Sequence, residues 1–221
     1  MSPHTSPALV CIVRHGEALH NVQRPYLHRD PPLTEAGTIA TSAMKLPSSP
    51  DLIIVSPMTR TIQTAINIFP SLRNADEFVA PVQIWPELRE ANDAMCNKGL
   101  SRAEMQSKFP QFDFSECAEE WGYPDHTAWD ATARAERVRK RLRALSTTFS
   151  SITVISHRGF IAYLVKGRRF NPAESRLYRF STQAEAQDAT VRRGLHCDTL
   201  EDHDFGPTLL VLSDVVTMSA Q

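Results

Sequence analysis

Ala8-Leu9-Val10-Cys11-Ile12-Val13-Arg14-His15-Gly16-Glu17 decides the fold. Six apolar residues in succession, several of them β-branched, describe a strand buried on both faces, as in the middle of a parallel sheet. The run stops at Arg14-His15-Gly16, where Gly16 is expected to give the backbone freedom for a tight turn. Ligands of open α/β sheets bind beyond the carboxyl ends of the strands, so Arg14 and His15 stand where chemistry is expected. Taken alone, the tripeptide is equally a solvent-facing loop. The balance shifts at Ile152-Thr153-Val154-Ile155-Ser156, a second buried run that delivers His157 with Gly159 close behind. Two strands that each end in a histidine suggest two imidazoles facing each other at one sheet edge.

Outward from this strand, a polar, proline-rich loop covers residues 20–32, and loops at this edge tend to carry binding residues. Thr34 reads as the N-cap of a helix with Glu35 in its first turn and Ala36, Ala40, Ala43 and Met44 as its packing face, ended by Pro47. Leu52-Ile53-Ile54-Val55 reads as a strand, followed by a helix over about 58–69 with Ile62, Ala65, Ile66 and Phe69 on one side. Arg60 falls in the first turn of that helix, where a cation opposes the helix dipole; it is either a solvated residue or one that meets an anion. Residues 82–85 predict a third strand, before Glu87 and Glu90. The stretch 91–125, with one helix at 101–109, is long and irregular, and such loops serve as lids or binding segments. The longest helix is predicted over 126–149, with Trp129, Ala133, Val138, Leu142, Leu145 and Phe149 as its buried stripe and Arg134, Arg137, Arg139, Lys140, Arg141 and Arg143 as a solvated basic face. A helix over about 160–165 and strands at 177–181 and 209–212 complete the pattern, with 183–205 expected to be polar and exposed.

The 221 residues fit one domain, expected over 1–221. The 24 Lys and Arg against 25 Asp and Glu give a formal net charge of −1, which draws the chain toward neither nucleic acid nor anionic membrane. A phosphate site must therefore come from a local cluster of cations. Cys11, Cys96, Cys117 and Cys197 lie far apart without a Cys-x-x-Cys pair, as expected of reduced thiols in a cytoplasmic protein. Residues 1–7 have no apolar core, so neither a signal peptide nor a membrane span is expected there, and no later segment approaches about 20 apolar residues.

Four separated motifs together resemble the histidine phosphatase superfamily, the phosphoglycerate-mutase-like fold, over about residues 9–212, with the small fungal-type members nearest in pattern. These are Arg14-His15-Gly16-Glu17, Arg60 within Ser56-Pro57-Met58-Thr59-Arg60-Thr61, Glu90 in Leu88-Arg89-Glu90, and His157 after Ser156. The resemblance implies an α/β three-layer sandwich, a mostly parallel central sheet of about six strands flanked by helices, with a lid insertion at 91–125. It also implies a phosphatase that takes a small phosphomonoester through a phosphohistidine on His15. His157 would stabilise the transferred group, and Glu90 would donate a proton to the leaving oxygen. Arg14 and Arg60 would clamp the phosphate with planar guanidinium forks, beside Asn21 and Gly16. Elementary electrostatics agrees: two guanidiniums and a second imidazole keep His15 neutral and nucleophilic, and a phosphate dianion beside Glu90 favours the protonated carboxyl that an acid needs. From the residues alone Glu87 competes with Glu90; only the family's Leu-x-Glu pattern prefers Glu90.

The departures narrow the reading. Arg158 replaces the glycine that often follows the second histidine, and either adds a cation to the pocket or points away. Glu90 is followed by Ala91-Asn92-Asp93 rather than the Glu-Arg-His-Tyr-Gly run of cofactor-dependent phosphoglycerate mutases, which argues against glycolytic mutase activity. Cys96-Asn97-Lys98-Gly99 resembles a Cys-Asp-x-Gly run of fungal-type members, with Asn97 in place of the acid. No Asp/His cluster has metal-ligand spacing, Asp202-His203-Asp204 reads as a polar loop, and no metal or other cofactor is implied. The expected partner is a small phosphorylated or anionic molecule. Two alternatives use the same residues: a phosphomutase or phosphotransferase, and a repurposed member that binds or transforms an anionic metabolite without phosphoryl transfer.

Overall fold

The computed structural model describes residues 7–77, 80–121 and 127–213. In chain order these form β1 (Leu9–Arg14), α1 (Leu19–Val22), α2 (Glu35–Ser42), β2 (Leu52–Val55), α3 (Thr59–Ile68), β3 (Val82–Ile84), α4 (Arg102–Lys108), α5 (Ala128–Leu145), β4 (Ser151–Ser156), α6 (Arg158–Leu164), β5 (Ser175–Phe180), α7 (Gln183–Gln187), α8 (Ala189–Arg192), β6 (Arg193–Leu195), β7 (Asp202–Asp204) and β8 (Leu210–Leu212). Six strands make the central sheet in the order β3-β2-β4-β1-β5-β8. β3, β2, β4 and β1 are parallel, and β5 runs against both β1 and β8. β1 and β4 pair from Leu9 with Ser151 to Arg14 with Ser156, so both strands end side by side and deliver His15 and His157 to one edge.

Side chains alternate across this sheet, and each face has its own core. Val10, Ile12, Leu52, Ile54, Ile152 and Val154 pack against Ala131, Ala135, Val138 and Leu142 of α5 and Phe160, Ile161 and Leu164 of α6. Cys11, Val13, Ile53, Val55 and Ile155 pack against Met58, Ile62 and Ala65 around α3. The same core takes Met105, Phe109, Phe112, Phe114 and Trp121, so much of the long irregular stretch covers the sheet face rather than the histidines. Tyr123 and Asp125 lie outside the described residues.

Several expectations are corrected. Ala36, Ala40 and Ala43 face solvent, and α2 buries Gly37 and Thr41 instead. The helix lies so close to the turn after β1 that a Cβ at Gly37 would collide with the Glu17 carbonyl, and that approach sets which face is inward. Thr34 caps α2 as expected, accepting from the Gly37 N–H. Trp129 is 78% exposed, whereas Arg134 and Arg139 are buried within the stripe of α5. Their guanidiniums satisfy backbone carbonyls: Arg134 those of Glu87, Arg89 and Glu90, and Arg139 those of Tyr163 and Leu164. The other cations of α5 meet acids or rings: Arg137 pairs with Glu87, Lys140 with Glu136, and Arg141 with Glu116 while covering Trp85. The basic face is thus largely internal or neutralised. Residues 183–205 hold α7, α8 and a β6–β7 ribbon rather than an exposed loop, with His196 and Phe205 buried. The aspartates of Asp202-His203-Asp204 pair with Arg193 and Arg192. Among the described residues no helix is long and apolar enough to cross a membrane.

Candidate active site

Arg14, His15, Asn21, Glu90 and Arg158 line one cavity of about 120 Å³, small beside the roughly 300–1,000 Å³ of drug-sized pockets. His20, Arg24, Asn92, Cys96 and Asn97 complete it. His157 and Arg60 stand directly behind, fully buried. The His15 and His157 rings are 5.2 Å apart between centroids, tilted by 59°, and the His20 ring lies 5.9 Å from His15.

The proton on His15 can be placed. Its Nδ1 lies 2.6 Å from the Gly16 carbonyl, which can only accept, so Nδ1 carries the proton and Nε2 the free lone pair. Burial, reinforced by Arg60 and Arg14, holds the His15 pKa well below its ordinary value, and the ring stays neutral at pH 7. Gly16 is buried and is not among the described residues that line the cavity. Its N–H donates to Thr64 Oγ1 at 3.1 Å, and a Cβ there would meet Thr41 Cγ2 at 2.6 Å. Its need is close packing against α2 rather than a left-handed turn, since it has no positive φ.

His157 is the N-cap of α6, which begins two residues earlier than expected. Its Nε2 bonds Ser56 Oγ at 2.8 Å, and its Nδ1 is buried without a partner among the described residues. Burial, with Arg60 next, keeps this ring neutral as well. Asn21 does not point outward for its own sake. Its Oδ1 accepts from the Ala18 N–H, which turns Nδ2 toward His20 Nε2 and leaves the neutral His20 with its proton on Nδ1. That nitrogen is also buried and unpartnered, and burial with Arg60 and Arg14 lowers the His20 pKa to about 3.

Arg60 is 0% exposed, so the solvated-cation reading fails. Asp30 caps α3 through the Thr59 N–H at 2.9 Å and thereby holds the first turn that carries Arg60. The guanidinium donates to Cys96 O at 3.1 Å and Asn97 Oδ1 at 3.0 Å. Both acceptors are neutral, so the asparagine in place of an acid leaves the cation's charge available. Arg14 donates to Phe170 O at 2.7 Å, and burial lowers its pKa to about 10. The Nε of both arginines is buried and has no hydrogen-bond partner among the described residues.

Glu90 accepts three backbone bonds, from its own neighbour Ala91, from Phe160 and, at 3.2 Å, from Gly159. The competitor Glu87 instead turns to Arg137 at 3.2 Å and Arg141 at 3.9 Å on α5. Arg158 has a partly exposed side chain, 3.6 Å from Asp198. His20, Arg24 and Asp30 are not singled out by the sequence pattern, whereas Ser56 and Cys96 fall within quoted motifs without a role of their own. The only signal for the first two was their place in the polar loop after β1.

The model of the histidine phosphatase superfamily (branch 1) matches residues 10–186. A Schizosaccharomyces pombe protein named as a probable phosphatase is 32% identical over 124 residues, 52% of this chain and 56% of its own length. The match thus spans about half of that relative. The ecdysone phosphate phosphatase of Bombix mori, solved with tungstate, aligns with a TM-score of 0.57 at 15% identity, covering 78% of this chain and 89% of that one. The alpha-ribazole phosphatase of Shigella flexneri aligns with a TM-score of 0.55 at 20% identity, covering 79% and 91%. These two likenesses speak for the fold. With the family's pattern matched from within β1 to within α7, and its two histidines side by side at one sheet edge, this chain belongs to the histidine phosphatase superfamily.

Proposed function

We propose that the chain hydrolyses small phosphomonoesters through phosphoryl transfer to His15. One observation carries the reading. Four nitrogens around His15 (Arg14 Nε, Arg60 Nε, His20 Nδ1 and His157 Nδ1) are buried without partners among the described residues. Buried polar groups are nearly always paired, and unpaired donors on two residues that line the cavity, Arg14 and His20, with two more on Arg60 and His157 behind it, fit the equatorial oxygens of a phosphoryl group. The lone pair of His15 Nε2 attacks phosphorus, the P–O bond to the alcohol breaks, and Glu90 gives its proton to the leaving oxygen. Water then attacks the phosphohistidine, Glu90 takes up its proton, and the N–P bond breaks to release phosphate. The transition state is loose and its charge lies on the equatorial oxygens, so fixed guanidiniums and the His157 N–H stabilise it without reorganising. Ser56, by donating to His157 Nε2, keeps the His157 proton on Nδ1. Residues 91–99 act as the cover of the site within a single domain, since the 96–97 turn meets Arg60 directly.

The test is phosphate release from an alkyl phosphate in the presence and absence of an added alcohol acceptor. Continued release without the acceptor is expected. Release that requires the acceptor would move the reading to a phosphotransferase, and none at all would leave an anion-binding member of the family.

A further inference from the structure

Three side chains behind Arg60 have no part in the chemistry above. Lys108, at the end of α4, donates from Nζ to Thr59 Oγ1 at 2.9 Å, and that hydroxyl lies 2.6 Å from Asp30 Oδ2. An ammonium can only donate and a hydroxyl has one proton, so Thr59 Oγ1 accepts from Lys108 and gives its proton to Asp30. Asp30 Oδ1 takes the Thr59 N–H at 2.9 Å, and both carboxylate oxygens thus hold the first residue of α3, directly before Arg60. Asp30 also reaches the other end of Arg60. Its N–H donates to Lys98 O at 3.1 Å, next to the Cys96 O and Asn97 Oδ1 that accept from the guanidinium. Its φ of 45° is a backbone that glycine takes more easily, so what aspartate adds there is the carboxylate. Among the carboxylates that act on Arg60, Asp30 is foremost and Glu90 second, yet the acceptors bonded to the guanidinium are the neutral Cys96 O and Asn97 Oδ1. An unengaged Asp30 would offset the charge of Arg60 and draw the fork toward itself. Lys108, through Thr59, engages that carboxylate and leaves Arg60 its charge.

We propose that Lys108, Thr59 and Asp30 are positioning residues for Arg60, a relay from α4 that fixes where the guanidinium fork stands and keeps its charge for a bound oxyanion. The relay reaches beyond the capping of α3, because the cap needs neither Lys108 nor the Thr59 hydroxyl. It rests on the phosphatase reading where ester turnover is the readout, and on Arg60 alone where oxyanion binding is.

Thr59→Val removes the hydroxyl and keeps the branched shape, whereas Thr59→Ser keeps the hydroxyl. Lys108→Met removes the cation at an exposed position, so the test stands even where Thr59→Val fails to fold. Turnover of an aryl phosphate and calorimetric affinity for tungstate are measured for each variant, alone and combined with Arg60→Ala. Thr59→Val should lower kcat/KM by about 10- to 100-fold, the scale for a displaced group at a reacting centre, with tungstate affinity falling in parallel. Lys108→Met should lower both in the same direction by less, and Thr59→Ser should stay near the parent. Combined with Arg60→Ala, the same changes should have almost no effect, because a residue that acts through Arg60 has nothing left to position. Equal losses with and without Arg60 would show a general effect on the fold and overturn the relay. So would a Thr59→Ser variant as slow as Thr59→Val, or a Lys108→Met variant with the parent's tungstate affinity. Absence of ester turnover in the parent, with the tungstate losses as expected, would overturn the phosphatase reading and keep the relay.

Discussion

Acidification should destabilise this fold steeply, and a bound oxyanion should oppose the loss. His15 and His157 are held well below the ordinary imidazole pKa by burial and Arg60, and His20 is lowered to about 3 by the same causes. Each unfolded imidazole titrates near pH 6.5, so between that value and the lower folded one the unfolded state binds more protons. Stability is therefore complete above about pH 7.5 and falls as pH drops through about 6.5. At about pH 5.5 each group kept neutral by the fold costs about 1.4 kcal/mol. His20 is partly open to water and counts for less, so the three together cost about 3–4 kcal/mol. At about 2–4 °C per kcal/mol for a chain of this size, Tm should drop by about 6–16 °C. His196 and His203, also lowered by burial, add to the fall, and Asp30, raised by burial, opposes it. The assay is thermal unfolding followed by circular dichroism from about pH 7.5 to 5.5, with and without saturating tungstate. A bound oxyanion favours protonated rings, so its stabilisation should grow toward low pH, and His20→Gln should remove part of the slope. A Tm flat to within about 2 °C over this range would refute the neutral-histidine account.

Three substitutions test the parts of the site separately. Arg60→Lys should lower kcat/KM by about 10- to 1000-fold, because an ammonium cannot replace a guanidinium fork; near-normal kinetics would take Arg60 out of the site. Glu90→Gln should slow an alkyl phosphate by about 100-fold or more and a nitrophenyl phosphate much less, and Glu87→Gln should leave both rates nearly unchanged; equal slowing of both leaving groups in Glu90→Gln would reject Glu90 as the acid. Gly37→Ala should destabilise by about 3 kcal/mol and lower Tm by about 6–12 °C, since its Cβ meets the Glu17 backbone; an unchanged Tm would show that α2 can move away.

The strands were legible because β1 and β4 are buried on both faces: β1 reads as an apolar run up to Arg14 and His15, and β4 as β-branched residues, Thr153 among them, that lead into His157. The N-cap of α2 was legible from local chemistry alone. The inner face of α2 was not, because a glycine chosen for close approach outweighs the alanines beside it. Trp129 misled for a geometric reason: it lies two positions from Ala131, about 200° round the helix at 3.6 residues per turn. Arg134 and Arg139 looked like surface cations, yet backbone carbonyls from distant loops accept their protons, and no local pattern announces such partners. The same holds for Arg60, whose burial depends on the 96–97 turn. His20 and Arg24 reach the cavity through the path of a loop, which has no periodicity to read.

The most direct measurement is the trapping of the intermediate. Brief reaction with an aryl phosphate followed by rapid quenching should leave an alkali-stable, acid-labile phosphoryl group on Nε2 of His15, absent in His15→Ala. A phosphoryl group on another residue, or undiminished turnover in His15→Ala, would contradict the account.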